Sequence, residues 1–281
     1  MTVFKIKSYA KVNLALNVIG KTSKLHKIES IVSFVDLCDL IYLELVNTKN
    51  HKVSFQGKFS KGIGKKNTIM TLLKLLDKKN LIHNKKFRIK IIKNIPQKAG
   101  MGGGSMNAAS LINFLIFKKI IKVKKNQLIK LTKLIGSDVI LGIDPKNTIL
   151  SSNGKIKRYK KKINLYTLIV KPNFGCSTNL IFSKIKFFSK SKFNIPTKSM
   201  LNKDYLKNLN NDLEVVAFRK YSKLKSIKLF LSSLSNVLFV RMTGSGSSIV
   251  AYFLSKNACR VALKLFKQKF NSYWCITSKT I

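Results

Sequence analysis

A strand, a run of glycines and a helix follow one another in the middle of the chain, a combination suited to holding phosphate. Gly100, Gly102, Gly103 and Gly104 fall within five positions. Ser105 comes next, then an apolar run through Leu111, Phe114, Leu115 and Phe117. Ahead of them, Phe87 to Lys93 alternates apolar and basic residues, the period of a strand. Glycine admits positive φ and lets backbone approach a ligand with no Cβ in the way. A helix that starts at such a loop turns free N–H groups and the positive end of its dipole outward, which favours phosphate. A glycine-rich turn that serves packing alone is the competing reading of the loop taken by itself.

The spacing sets this loop apart from two better-known phosphate binders. No Lys-Ser or Lys-Thr pair follows the glycines, which argues against a Walker loop. No acidic residue stands about 20 residues further on to hold a ribose, so a dinucleotide fingerprint is a poor match.

Several elements must position this loop. Residues 3–19 read as two strands broken near Ser8-Tyr9-Ala10. The second places Lys11, Asn13 and Asn17 on one face and Val12, Leu14 and Leu16 on the other. A basic loop over 20–27 contains His26, and strands follow at about 28–36, 39–47 and 51–56. Asn67 caps a helix from Thr68 to about Lys79, striped by Ile69, Leu72, Leu73 and Leu76. Asn126 caps another, closed by Gly136, and a hairpin around Asn153-Gly154 ends the first half. A boundary near residue 156 gives domains of 1–156 and 157–281.

The second half opens with a strand at Leu165–Val170. The lysine-rich stretch 183–200 is the least ordered-looking part of the chain. A helix follows Asn211-Asp212, and another spans 224–234. Strands at 237–241 and 248–253 flank Met242–Gly246, with a helix at 257–270 and a strand at 273–279. The whole is an α+β pattern without internal repeats.

Composition narrows the function. At 281 residues, 45% of them hydrophobic, the chain can bury a large core. Its 55 Lys+Arg against 10 Asp+Glu give a net charge of +45, which first suggests nucleic acid. Only five of those cations are arginines (88, 158, 219, 241 and 260), whereas readers of phosphate and base edges lean on arginine's planar fork. The lysines are also dispersed along the chain, and they rise together with Ile, Asn and Phe, the residues of A- and T-rich codons. Genome bias explains the charge better than a nucleic-acid partner does. Cys38, Cys176, Cys259 and Cys275 show no C-x-x-C spacing and no pairing with the histidines, which argues against zinc and for reduced thiols. The N-terminus lacks a secretory apolar region, and no window reaches 18 uncharged apolar residues, so a cytoplasmic protein without a membrane partner is expected.

The loop's form, P-x-x-x-G-[LM]-G-G-G-S-x-N-A-A, resembles the ATP loop of the GHMP kinases. Four further stretches match that family's motifs in order: Ser8–Leu14, Ile135–Val139, Asn211–Glu214 and Arg241–Ser247. The set is most similar to the branch acting on a CDP-linked polyol. The resemblance implies a GHMP-kinase fold of two α+β domains with the active site in the cleft between them. It implies an ATP- and Mg²⁺-dependent phosphorylation of the 2-hydroxyl of a methylerythritol unit, a step of non-mevalonate isoprenoid synthesis, by a monomer or weak homodimer. Asp138 matches the family's general base, and Lys11 the cation that offsets developing charge. Pro96, Gln97, Lys98, Ala99, Gly100, Met101, Gly102, Gly103, Gly104, Ser105 and Met106 match the stretch that wraps the ATP phosphates, with the Ser105 hydroxyl a candidate metal ligand. Gly244 and Gly246 match a supporting loop. Asn13, His26 and Phe182 match substrate-binding positions, the last two at the cytosine.

Two departures accompany these matches. Two early glycines of the family loop are Lys98 and Ala99 here, and the family's D-G-Y-H reads Ser23-Lys24-Leu25-His26, without its aromatic. Another GHMP small-molecule kinase stays open as an alternative, as does a basic nucleic-acid-binding protein.

Overall fold

The computed structural model describes residues 2–23 and 25–281; Lys24, in the departing stretch before His26, lies outside the described residues, as does Met1. The architecture is α+β, as expected. β1 (Val3–Lys21) and β2 (His26–Val46) are each one long strand where the sequence predicts two. Ala10 to Val18 is buried without interruption. A strand covered on both faces carries no alternation to mark its continuity.

The chain divides into two compact units. A single cut near residue 156 does not describe them, because β1 and β2 each contribute residues to both. One unit comprises Met1–Ala10, Leu37–Gln97 and Gly102–Pro145. There β3 (Lys52–Gln56) runs parallel to β4 (Lys86–Ile92), and β4 pairs antiparallel with the end of β2, Leu40 opposite Ile92. Helix α1 (Thr68–Lys78) starts as predicted, with the Asn67 side chain accepting from the N–H groups of Ile69 and Met70. Its stripe of Ile69, Leu72, Leu73 and Leu76 is buried with residues of α2 (Gly103–Phe117), α3 (Lys125–Ile135) and the sheet. Each such aliphatic side chain contributes roughly 1.5–3 kcal/mol by leaving water. Helix α3 is capped at Lys124 rather than Asn126, because Gln127 Oε1 turns back to accept from the Lys124 N–H at 3.0 Å.

The other unit comprises Lys11–Asp36, Lys98–Met101 and Lys146–Ile281. Here β5 (Asn147–Leu150) pairs with β2 and forms the expected hairpin with β6 (Ile156–Tyr159). A second sheet is built from β7 (Tyr166–Lys171), β8 (Val237–Met242), β9 (Ile249–Phe253) and β10 (Trp274–Lys279), antiparallel throughout in the order β10-β7-β9-β8. Helices α4 (Thr178–Ser183), α5 (Lys203–Lys207), α6 (Leu213–Lys220), α7 (Ser222–Ser232) and α8 (Lys256–Lys269) complete it. Leu168, Val170, Leu213, Ile227, Ile249 and Phe266 belong to its core.

Candidate active site

The glycine stretch is delivered by a fixed strand exit. Asp39, fully buried, accepts from the N–H groups of Asn94 and Ile95, each at 2.8 Å, and from the Lys93 ammonium. Gln97 then donates to the carbonyls of Phe59 and Lys61. Gly102, at φ 65°, sets the helix start, and among the described residues no side chain caps α2. The first helical N–H to bond back along the chain is Met106, to the Gly102 carbonyl at 2.8 Å. The N–H groups of Gly103, Gly104 and Ser105 therefore project past the helix end. Side chains at 103 and 104 would crowd their neighbours. A Cβ on Gly103 would lie 3.1 Å from Ile95 and 3.3 Å from Lys93 Nζ; one on Gly104 would lie 3.1 Å from the Thr68 hydroxyl.

Asp138 belongs to the same unit. Gly136 closes α3 with φ 168°, an extended conformation open to any residue, so its backbone does not call for glycine. What it leaves is room: a Cβ there would stand 3.6 Å from Ser105 Oγ. Asp138 then leads a short helical turn, Val139–Ile143, whose Gly142 lies so close to Ala109 that a Cβ would fall 2.6 Å away. The start of α2, the Ser105 hydroxyl and the turn bearing Asp138 are thereby brought together.

In the other unit, Lys11 and Asn13 share a face of β1, both nearly buried. Lys11 Nζ donates to Asn13 Oδ1 at 2.8 Å, and the same oxygen accepts from the Gly244 N–H at 3.0 Å. Asn13 Nδ2 donates to Ser30 Oγ, and its backbone N–H to Thr243 Oγ1. Gly100 and Gly244 press together: a Cβ on Gly100 would lie 1.9 Å from the Thr243 carbonyl oxygen, and one on Gly244 2.9 Å from that of Gly100. Both have positive φ. Lys98, where the family carries glycine, also has positive φ, at 49°. That conformation costs a side-chain-bearing residue on the order of 1 kcal/mol. Space for its Cβ comes from Gly175, where a Cβ would sit 2.5 Å from it. The loop's altered entry is thus matched by a glycine 77 positions later, which no local pattern points to.

The motif residues without an assigned role turn out to brace the Met242–Gly246 turn. Asn211 Nδ2 donates to the carbonyls of Met242 and Gly244, and Glu214 accepts from the Met242 N–H at 2.7 Å. Arg241 donates to the carbonyls of Leu14, Leu206 and Leu209. Asp212 accepts from the Val18 N–H on β1.

His26 opens β2, and Phe182 lies in the last turn of α4, with their ring centroids 5.1 Å apart and tilted by 42°. Partial burial, and then the nearby Lys21 ammonium, lower the His26 pKa from its ordinary value. A neutral imidazole both donates and accepts, as a polar base edge requires. Leu25 beside it is exposed.

Residues 67–145 match the family model described as the GHMP kinases N terminal domain. The chain is 63% identical to the 4-diphosphocytidyl-2-C-methyl-D-erythritol kinase of Pelagibacter ubique (strain HTCC1062), over the full length of both. It is 32% identical to the enzyme of that name from Clostridium perfringens (strain SM101 / Type A), with 99% of this chain and 98% of the relative covered. A crystal structure of 4-(cytidine 5'-diphospho)-2C-methyl-D-erythritol kinase matches with a TM-score of 0.78 at 23% identity, covering 98% of this chain and 99% of the other. Homoserine kinase from Cytophaga hutchinsonii matches with a TM-score of 0.73 at 14% identity, covering 100% and 95%. These two structures establish likeness of fold.

Proposed function

The chain belongs to the 4-diphosphocytidyl-2-C-methyl-D-erythritol kinases, a branch of the GHMP kinases, and from that premise we propose that it moves the γ-phosphoryl of ATP to the 2-hydroxyl of that CDP-linked polyol. It is an ATP-dependent phosphotransferase of isoprenoid synthesis. Kinship at 63% identity over the full length of a relative of that name carries this reading. Among the described residues no helix is long and apolar enough to cross a membrane. Metabolism of a charged, water-borne substrate fits the cytoplasm, and a monomer or weak homodimer suffices.

The residues divide the work as follows. The N–H groups of Gly103, Gly104 and Ser105, at the positive end of α2, hold phosphate oxygens, and the stretch from Pro96 to Met106 supplies the surrounding backbone. Asp138 takes the proton of the 2-hydroxyl as its oxygen bonds to the γ-phosphorus; the bond to the β,γ-bridging oxygen breaks and ADP leaves. Lys11, aimed by Asn13, offsets the negative charge that develops, and Asn13 lines the substrate site beside it. His26 meets the polar edge of cytosine and Phe182 its face.

Mg²⁺ binds chiefly through substrate phosphates and water, with one or two protein ligands. Among the described residues no three His, Cys, Asp or Glu side chains gather into a cage, and the Ser105 hydroxyl beside the bare Gly136 fits that smaller demand. When bound, the ion neutralises phosphate charge.

Substrate choice is tested by assaying the protein with the CDP-linked polyol, homoserine and mevalonate side by side. Turnover confined to the first is expected, and turnover of another instead would move the chain to a different branch. The base pocket has its own test. One base–aromatic stack is worth roughly 1–3 kcal/mol. Phe182→Ala should therefore raise KM for the CDP-linked substrate about 5–150-fold while KM for ATP stays put. Leu25→Tyr should lower that KM by restoring a second flat partner. An unchanged substrate KM in Phe182→Ala would mean the cytosine binds elsewhere.

A further inference from the structure

The segment between α4 and the short helical turn at Lys198–Leu201 carries no helix or strand over residues 184–197, yet a buried acid fastens its middle. Glu29, on β2 and fully buried, accepts four hydrogen bonds. On Oε1 they come from Asn17 Nδ2 at 2.8 Å and the Lys192 N–H at 2.7 Å. On Oε2 they come from the Ser191 hydroxyl at 2.7 Å and the Phe193 N–H at 3.0 Å. All four donors are neutral. Phe193 is itself fully buried, and two residues before Ser191 the Ser189 N–H bonds the Val18 carbonyl on β1 at 2.9 Å. The same segment begins just after Phe182, whose ring lies against His26 three residues before Glu29 on β2. The connection is therefore held to β1 and β2 just before its start, by the ring pair, and again at its middle, by the Val18 carbonyl and the carboxylate.

We infer that Glu29 is a positioning residue for the base-binding end of the substrate site, fixing the chain that leaves Phe182 so that its ring keeps its distance from His26. This rests on the functional reading above. Four donors converging on two oxygens need an acceptor at both. A carboxylate supplies that, whereas a carboxamide would turn its own N–H₂ toward one pair of donors and leave at least one backbone N–H, that of Lys192 or Phe193, without its acceptor. Loss of the clamp releases the segment without touching the phosphate loop. The effect should therefore fall on recognition of the CDP portion and leave phosphoryl transfer alone.

The test compares wild type, Glu29→Gln and Ser191→Ala by steady-state kinetics, by calorimetric titration with CDP, and by hydrogen exchange over 184–194. Glu29→Gln should raise KM for the CDP-linked substrate and Kd for CDP about tenfold, with kcat and KM for ATP within twofold and faster exchange confined to that segment. Ser191→Ala, which removes one donor, should move the same quantities two- to threefold and keeps the idea testable if Glu29→Gln fails to fold. Equal losses in kcat and both KM values, or an unchanged Kd for CDP beside faster exchange, would overturn the inference and leave Glu29 a stabilising residue only. If wild type bound CDP but phosphorylated another acceptor, the functional reading would fall while the CDP titration still judged the clamp. Failure of wild type to bind CDP at all would overturn both.

Discussion

Asp138→Asn should lower kcat by roughly 10²–10⁴ while the protein stays folded, the range expected when a positioned general base is lost. The amide has the shape of the carboxylate and cannot take the proton of the attacking hydroxyl. Its backbone duties persist, because the Asp138 carbonyl still accepts from the Leu141 N–H and still begins the turn ending at Ile143. KM for both substrates should stay within a few-fold, and the circular dichroism spectrum should be unchanged. Steady-state kinetics with the CDP-linked polyol decide the matter: activity within a few-fold of wild type would remove Asp138 from the mechanism.

Gly100→Ala should be nearly as damaging through a different cause. The added methyl would sit 1.9 Å from the Thr243 carbonyl oxygen, at a φ of 73° that alanine rarely adopts. No flexible side-chain end is available to give way, since the obstacle is backbone braced by Asn211 and Glu214 on either side. The conformational strain alone is on the order of 1–3 kcal/mol. The loop must shift, and a misplacement of about 1 Å is enough to lose roughly 10²-fold in rate. A fall of at least that size in kcat/KM for ATP is expected, with Kd for CDP little changed because His26 and Phe182 lie outside the loop. Near-normal ATP kinetics would show that the loop has an alternative path.

Part of the local geometry around these residues is legible in the sequence, and the reasons are physical. Glycines mark positions where backbone comes close or φ turns positive, so Gly100 and Gly102 announced the loop's geometry on their own. Asn67 announced a helix start, because its side chain serves N–H groups two and three residues away. Local contacts leave local signals. The contacts that fix the site's surroundings are long-range, and they left none. Arg241 bonds a carbonyl 227 residues earlier, and Glu29 fastens a segment more than 160 residues later. The lysine-rich stretch looked unordered because polar composition with no periodicity says nothing of a distant acid that holds it. Lys98 reads in the sequence only as a departure from the family loop, because its relief, Gly175, lies far along the chain.

The long strands bear on how this protein can be taken apart. A fragment beginning at residue 157 would keep Arg241, Asp212 and Asn211 but lose Leu14 and Val18, whose backbone groups bond Arg241 and Asp212. It would also lose Leu16, which trades backbone hydrogen bonds with Asn210 and Asp212. A guanidinium normally met by three carbonyls would lack one of them, and a core that includes Leu16 and Val18 would lie open. Separate expression of the two halves, split-reporter fusions cut there and domain exchange with other kinases at that point would all sever one folding unit. The strand that carries Lys11 travels with the C-terminal residues as a single heritable piece, although most of the sequence lies between them.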